Sequence, residues 1–269
     1  MSPPLMWTFE PSVLIPLLAL SVAYGYGWRR ARAPGQPHPP GYGRLALFAG
    51  GVLAVFAALE SPIDAASSDL MVVHMLQHIL LLDIAPILLI LGLTKGVLRP
   101  LTRQVTSLER GAGPFASPVF AVIAYCGFMW LWHVPAMYDL ALRNDPIHYL
   151  EHVSFALAGG LYWWHLLSPI RGRMRLGGMG PVAYMVSTKL VVGVLGVILA
   201  FAPVCFYAWY RHQPHWLGIS PREDQNLAGL LMALEQSIVM GIALAYLFMR
   251  MLSESERAAQ REERYGTVS

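Results

Sequence analysis

Long runs of apolar residues, separated by short polar segments, recur along the whole chain. A helix rises about 1.5 Å per residue, and the hydrocarbon core of a bilayer is about 30 Å thick, so each run is close to the length of one membrane crossing. The pattern predicts seven transmembrane helices, at residues 11–28, 44–60, 70–93, 115–138, 147–168, 181–203 and 226–250. We therefore predict an all-α integral membrane protein, a seven-helix bundle that forms one domain over residues 1–269.

The composition supports this prediction. Apolar residues make up 56% of the chain and charged residues 13%, whereas soluble proteins carry about 25% charged residues. The net charge of +3 comes from basic residues that flank the apolar runs, so it does not predict a nucleic-acid partner.

The distribution of Lys and Arg predicts the orientation of the helices. Fifteen of the 19 basic residues fall on one predicted side: Arg29, Arg30, Arg32, Arg44, Lys95, Arg99, Arg103, Arg110, Arg171, Arg173, Arg175, Arg250, Arg257, Arg261 and Arg264. Because loops rich in Lys and Arg stay in the cytoplasm, we predict that the N-terminus is outside the membrane and the C-terminus is cytoplasmic.

Two pairs of histidines, His74/His78 and His148/His152, interrupt the apolar runs with the spacing His-x-x-x-His. A step of four residues stacks two side chains on one face of a helix, so each pair can offer two imidazoles to one metal ion. The predicted topology places His74, His78 and His133 one to two turns below the outer surface, His148 at its edge and His152 one turn in, so that all five lie in one outer layer. Ionisable residues within a span are costly and indicate function. We predict a metal site formed by these five histidines.

Sulfur-containing residues lie beside these histidines. Met71 and Met75 share a helical stripe with His74 and His78, and Cys126 precedes His133 by two turns. Thioether and thiolate ligands favour Cu(I), while imidazole suits copper, zinc and iron. The sequence therefore favours copper, as Cu(I), with zinc and iron as alternatives. For any single methionine, packing is the preferred interpretation.

Three charged residues lie near the middle of the predicted spans: Asp83, Lys189 and Glu235. An unpaired charge is expensive there, so we predict an ion pair between Lys189 and one of the two carboxylates that fixes the register of the helices. Most of the carboxylates near the outer surface, a set that includes Asp224, are interpreted as solvated loop charges. Glu151 is adjacent to a predicted ligand but off the stripe of His148 and His152, and its role stays open.

Four segments resemble the bacterial CtaG family of cytochrome c oxidase assembly factors: HMLQHILLLDIAPILLILG (74–92), WLWHVPAMYDLAL (130–142), HYLEH (148–152) and DQNLAGLLMALEQ (224–236). The resemblance implies a multi-pass protein of the bacterial plasma membrane that takes part in the maturation of haem–copper oxidases. It further implies that a subunit of the oxidase is the partner, that copper is supplied to it, and that the five histidines handle the metal. Whether the chain forms a homodimer is left open.

The leading hypothesis is a copper-handling assembly factor that is not an enzyme and has no catalytic residues. One alternative is an integral-membrane metalloenzyme, either a zinc hydrolase, in which the metal activates a bound water, or an enzyme with a two-metal oxidative centre. The sequence lacks the additional carboxylate or histidine motifs that such a centre would need within the layer. A second alternative is a haem cytochrome, although two histidines one turn apart on one helix are poorly placed for stacked haems.

Overall fold

The computed structural model describes residues 6–170, 176–214 and 218–266, and the regular structure in these ranges is helical. The helices are α1 (Pro11–Ala31), α2 (Tyr42–Glu60), α3 (Pro62–Ser67), α4 (Met71–Gly92), α5 (Lys95–Ala116), α6 (Pro118–His133), α7 (Pro135–Leu142), α8 (Asp145–Leu167), α9 (Gly180–Ala200) and α10 (Pro221–Gly266). Arg171, Arg173 and Arg175, which the orientation argument uses, lie outside the described residues.

Five of these helices, α1, α2, α4, α9 and α10, are long and apolar enough to cross a membrane. Helices α5 and α6 meet at an angle of 65° and would together form a sixth crossing. Helix α8 has 23 residues and is therefore long enough, but its histidines and glutamate lower its hydropathy. The structure thus confirms a helical membrane protein, while the count of seven spans and their orientation stay predictions.

The fourth predicted span, residues 115–138, is wrong as a continuous helix. Helix α6 begins at Pro118. Ser117 caps its N-terminus, because the Ser117 hydroxyl accepts a hydrogen bond from the Phe120 N–H. It ends at His133 because Val134 precedes a proline and adopts an extended conformation, with φ −63° and ψ 125°. The chain then turns into α7. At 16 residues, α6 is only about 24 Å long, which is shorter than the hydrocarbon core.

Helix α4 lies at the centre of the bundle. Of its most apolar stretch, 56% is buried, compared with 17% for α1. Helices α2, α8 and α10 pack around it. This position explains why polar side chains on α4 face protein rather than lipid.

The middle of α4 contains a π-helical turn, Leu80–Ile84. Pro86 has no N–H to offer the Leu82 carbonyl four residues earlier, so this carbonyl is released from the regular helical pattern. It lies directly against Gly159 of α8, where a Cβ atom would overlap it. The two helices can therefore approach closely only because residue 159 has no side chain.

The N-terminus of α4 is capped by a residue from a distant part of the chain. The Asp224 carboxylate accepts hydrogen bonds from the Met71 N–H (2.6 Å) and the Val72 N–H (3.0 Å). Asp224 is buried, so its interpretation as a solvated loop charge is wrong. A carboxylate at this position satisfies two free backbone donors and also interacts favourably with the helix dipole.

The two residues after Asp224 fasten α10 to the segment that follows α9. The Gln225 side chain accepts a hydrogen bond from the Phe206 N–H (2.6 Å). The Asn226 amide donates to the carbonyls of Leu199 (2.9 Å) and Ala202 (3.2 Å). These three consecutive polar residues therefore hold the ends of α4, α9 and α10 together.

The predicted ion pair of Lys189 is wrong. Asp83 is buried and accepts hydrogen bonds from the Tyr125 hydroxyl (2.9 and 2.8 Å) and the Trp163 indole N–H (2.7 Å). Lys189 is exposed on the outer surface of α9 and forms no ion pair with Asp83 or Glu235 in the described structure. The face of α9 that carries Lys189 points away from the bundle, so Lys189 does not reach Asp83. Neutral hydrogen-bond donors stabilise the Asp83 carboxyl group instead.

We expect Gly159→Ala to destabilise the protein, because the added methyl group would force the Leu82 carbonyl and α8 apart. Overpacking of this kind costs about 1–3 kcal/mol. The measurement is the thermal unfolding midpoint of the purified protein in detergent. Gly160→Ala is the matched control, since a Cβ at residue 160 meets no atom within 4 Å; equal midpoints for the two variants would contradict the close approach.

We expect Asp224→Ala to lower stability by about 0.5–2 kcal/mol, the usual cost of losing a helix cap, because two N–H groups of α4 lose their acceptor. Asp224→Asn retains one acceptor oxygen and should lose less. Thermal unfolding of the three proteins tests the order wild type, Asn, Ala, and an Ala variant as stable as wild type would argue against the cap.

Candidate metal centre

His74 and His78 lie in the first two turns of α4, and both side chains are buried. Their ring centroids are 4.2 Å apart. None of their four ring nitrogens makes a hydrogen bond of ordinary length and angle with the described residues. Leaving a buried polar atom without a hydrogen bond costs about 1–3 kcal/mol, so these two adjacent imidazoles are candidate metal ligands.

The second pair, His148 and His152, lies in the first two turns of α8. Its ring centroids are 4.3 Å apart. His148 lies 5.2 Å from His74, and His152 lies 5.8 Å from His78, between ring centroids. The structure therefore brings both predicted pairs together, with four imidazoles facing one another between α4 and α8.

Glu151 is part of this group, and the sequence interpretation left it out. Its side chain is 1% exposed, and its two carboxylate oxygens lie 3.5 Å from His78 Nε2 and 3.9 Å from His74 Nε2. The available signal was the spacing His148, Glu151, His152, because residues at i, i+3 and i+4 share one face of a helix. We call His74, His78, His148, Glu151 and His152 the histidine cluster.

The histidine cluster contains two sets of potential metal ligands. One set is His74, His78 and His152, and the other is His74, His148 and Glu151; within each, the ligand atoms lie within 4.8 Å of one another. Modest side-chain rotation would bring such atoms to the distance of about 2.0–2.2 Å at which nitrogen and oxygen bind a metal such as zinc. Because both sets use His74, they describe alternative ways to hold one ion.

His133, the fifth predicted ligand, lies beside the cluster and belongs to neither set. It is the last residue of α6, and its ring centroid is 6.3 Å from that of His78. Its Nδ1 is 2.6 Å from the Met129 carbonyl oxygen, and its Nε2 is 3.3 Å from Met75 Sδ. The five predicted residues are therefore neighbours, but they do not surround a single point.

Tyrosines cover the cluster at this end of the bundle. The Tyr138 ring lies 5.1 Å from that of His74. The Tyr207 hydroxyl donates to the His133 carbonyl (3.1 Å), and the Tyr210 hydroxyl donates to the Ser67 carbonyl (2.8 Å). This cover depends on contacts between distant segments, so the sequence pattern gave no sign of it.

Gln77, which lies next to His78, is held by α2 and the short helix α3. Its amide donates to the Ala58 carbonyl (2.8 Å) and to Asp64 Oδ1 (2.7 Å). Burial raises the pKa of Asp64 to about 6, although the hydrogen bond from Gln77 opposes this change. The amide nitrogen of Gln77 thus has two hydrogen-bond partners, whereas the ring nitrogens of the adjacent His78 make no such bond with the described residues.

A cavity of about 10 Å³ lies below the cluster, enough for about one water molecule. Its lining comprises Met75, His78, Ile79, Leu82, Asp83, Met129, His133, Val192, Met232, Glu235 and Gln236. The cavity thus joins the histidines to the deeper carboxylates Asp83 and Glu235.

The packing of the imidazoles bears on the haem alternative. Neighbouring rings of the cluster have centroids 4.2–5.8 Å apart. Tyr138 and Phe155 lie against His74 and His78, respectively. This arrangement leaves no space for a porphyrin ring between the two histidine pairs.

The chain is similar to uncharacterized proteins of three mycobacteria. It is 22% identical to one from Mycobacterium leprae, and 23% identical to one from Mycobacterium bovis and one from Mycobacterium tuberculosis. Each comparison covers 97% of this chain but only 41% of the relative. The chain therefore spans less than half the length of these relatives. No solved structure matches it.

The similarity to the CtaG family, indicated by four segments of the sequence, extends over most of the chain. The profile of the family Caa3_CtaG, described as cytochrome c oxidase caa3 assembly factor, matches residues 22–254. This range contains all the residues of the histidine cluster as well as His133 and Asp224–Asn226. The chain therefore belongs to the family of cytochrome c oxidase caa3 assembly factors.

Proposed function

We propose that the protein binds copper through the histidine cluster and His133 and delivers it to a subunit of a haem–copper oxidase, without catalysing a reaction. The observation that carries the proposal is the convergence of three buried imidazoles, the half-buried His148 and one buried carboxylate. Most of their polar atoms have no hydrogen-bond partner among the described residues. Membership of an oxidase assembly family supplies the context, because these oxidases contain copper.

The arrangement of the ligands suits transfer rather than storage. The two ligand sets share His74 and use α4 and α8 together, so a small relative movement of the helices would change the number of ligands on the ion. A three-ligand site leaves a coordination position open for an incoming ligand of the partner. The predicted orientation would place this site toward the outer side of the plasma membrane, where the oxidase subunit would approach.

A zinc hydrolase is the second candidate, and Glu151 is the observation that favours it. A carboxylate beside three imidazoles supplies the general base that the sequence interpretation lacked. The metal content of the purified protein separates the two proposals: copper supports delivery, while zinc together with turnover of a hydrolysable substrate supports the enzyme.

We expect the variants His78→Ala and His152→Ala to bind Cu(I) at least about tenfold more weakly than wild type, since even loss of a residue that only orients a ligand costs about 10–100-fold in metal affinity. The measurement is competition with a Cu(I) chelator in detergent. His165→Ala is the matched control, because this histidine lies at the opposite end of α8. Equal affinities for all four proteins would contradict copper binding at the cluster.

In cells that lack their own copy, we expect the wild-type protein and His165→Ala to restore the copper content of the oxidase. His78→Ala should leave an oxidase that contains haem but is depleted of copper, because delivery fails while haem insertion continues. The ratio of copper to haem in the purified oxidase is the measurement. A normal ratio with His78→Ala would exclude delivery through the cluster.

A further inference from the structure

The hydrogen bond of His133 fixes which of its nitrogens is free. The Met129 carbonyl oxygen can only accept a hydrogen bond, so Nδ1, at 2.6 Å, carries the hydrogen. In a neutral imidazole, Nε2 is then unprotonated and presents a lone pair. A charged imidazolium would be costly at this buried position within the bundle, so the neutral form is the relevant one.

The free nitrogen points at another electron donor. Nε2 lies 3.3 Å from the thioether sulfur of Met75, and neither atom of a neutral pair has a hydrogen to donate to the other. Both side chains are buried. The two lone pairs thus face each other at van der Waals separation, an arrangement that a soft cation would bridge.

The separation of the two atoms matches that of two ligands of one ion. With metal–nitrogen and metal–sulfur distances of about 2.0 and 2.3 Å, ligand atoms at an angle of about 100° are about 3.3 Å apart. Ligand histidines also commonly donate their second N–H to a backbone carbonyl, as His133 does to Met129. Met129 and Met232 line the same small cavity and add two further thioethers.

We propose that His133 Nε2 and Met75 Sδ form a second metal site, separate from the histidine cluster and selective for Cu(I). Its selectivity follows from ligand type, since thioethers favour Cu(I) over zinc. The inference rests on the proposed function in that it assigns Cu(I) to one part of the metal-binding region. His78 lines the cavity and also belongs to the cluster, so it lies between the two sites.

The test combines X-ray absorption of the wild-type protein loaded with Cu(I) and titrations of the wild type and two variants. We expect sulfur in the first coordination shell of copper in the wild type, at a distance close to the about 2.3 Å of zinc–sulfur bonds. Met75→Leu keeps the size of the side chain but removes the sulfur, and it should bind one Cu(I) fewer per protein with unchanged binding of Zn(II). Met71→Leu is the control: this buried methionine lies one turn earlier on α4 and does not line the cavity.

The outcomes separate this inference from the proposed function. Absence of sulfur around Cu(I) in the wild type, or equal Cu(I) binding by the Met75 and Met71 variants, would overturn the second site while copper binding by the cluster stands. Failure of the wild type to bind any Cu(I) would overturn both. Because the absorption measurement uses the wild type, it decides the question even if a variant does not fold.

Discussion

The burial of α4 within the bundle sets the requirements for every polar side chain on that helix. Lipid offers no hydrogen bonds, so each polar group must find its partner inside the protein. Asp83 and the amide nitrogen of Gln77 find hydrogen-bond partners on neighbouring elements. The ring nitrogens of His74 and His78 make no hydrogen bond of ordinary length and angle with the described residues, and the Glu151 carboxylate lies 3.5–3.9 Å from them. This contrast along one helix is the physical basis for assigning the histidines to metal binding.

The close approach of α4 and α8 brings the two histidine pairs together. Pro86 leaves the Leu82 carbonyl without its usual partner, and Gly159 allows that carbonyl to lie against α8. Gly159 follows His152 by two helical turns, so a larger residue there would move the ligands of α8 away from those of α4. A backbone feature distant from the candidate metal site therefore controls the geometry of its residues.

Residues outside the cluster determine where its members lie. Asp224 fixes the first turn of α4, in which His74 lies, through two hydrogen bonds to the backbone. The Val134–Pro135 step ends α6 at His133 and starts the helix that carries Tyr138. The family-like segments thus contain structural residues as well as candidate ligands, and only the contacts distinguish the two.

The sequence determined the helical membrane architecture and the identity of the histidine pairs, because apolar length and a four-residue spacing are local properties. The ion pair predicted for Lys189 was wrong, since the partner of this residue depends on which face of α9 packs against the bundle. The cap formed by Asp224 likewise emerged only from tertiary structure, and so did the burial of Glu151 against α4, although its helical spacing from His148 was visible in the sequence. A carboxylate in the same local sequence pattern can be solvated, can cap a helix or can lie beside a metal site. Which of these occurs depends on the packing of the surrounding helices, because that packing controls the access of water to the carboxylate.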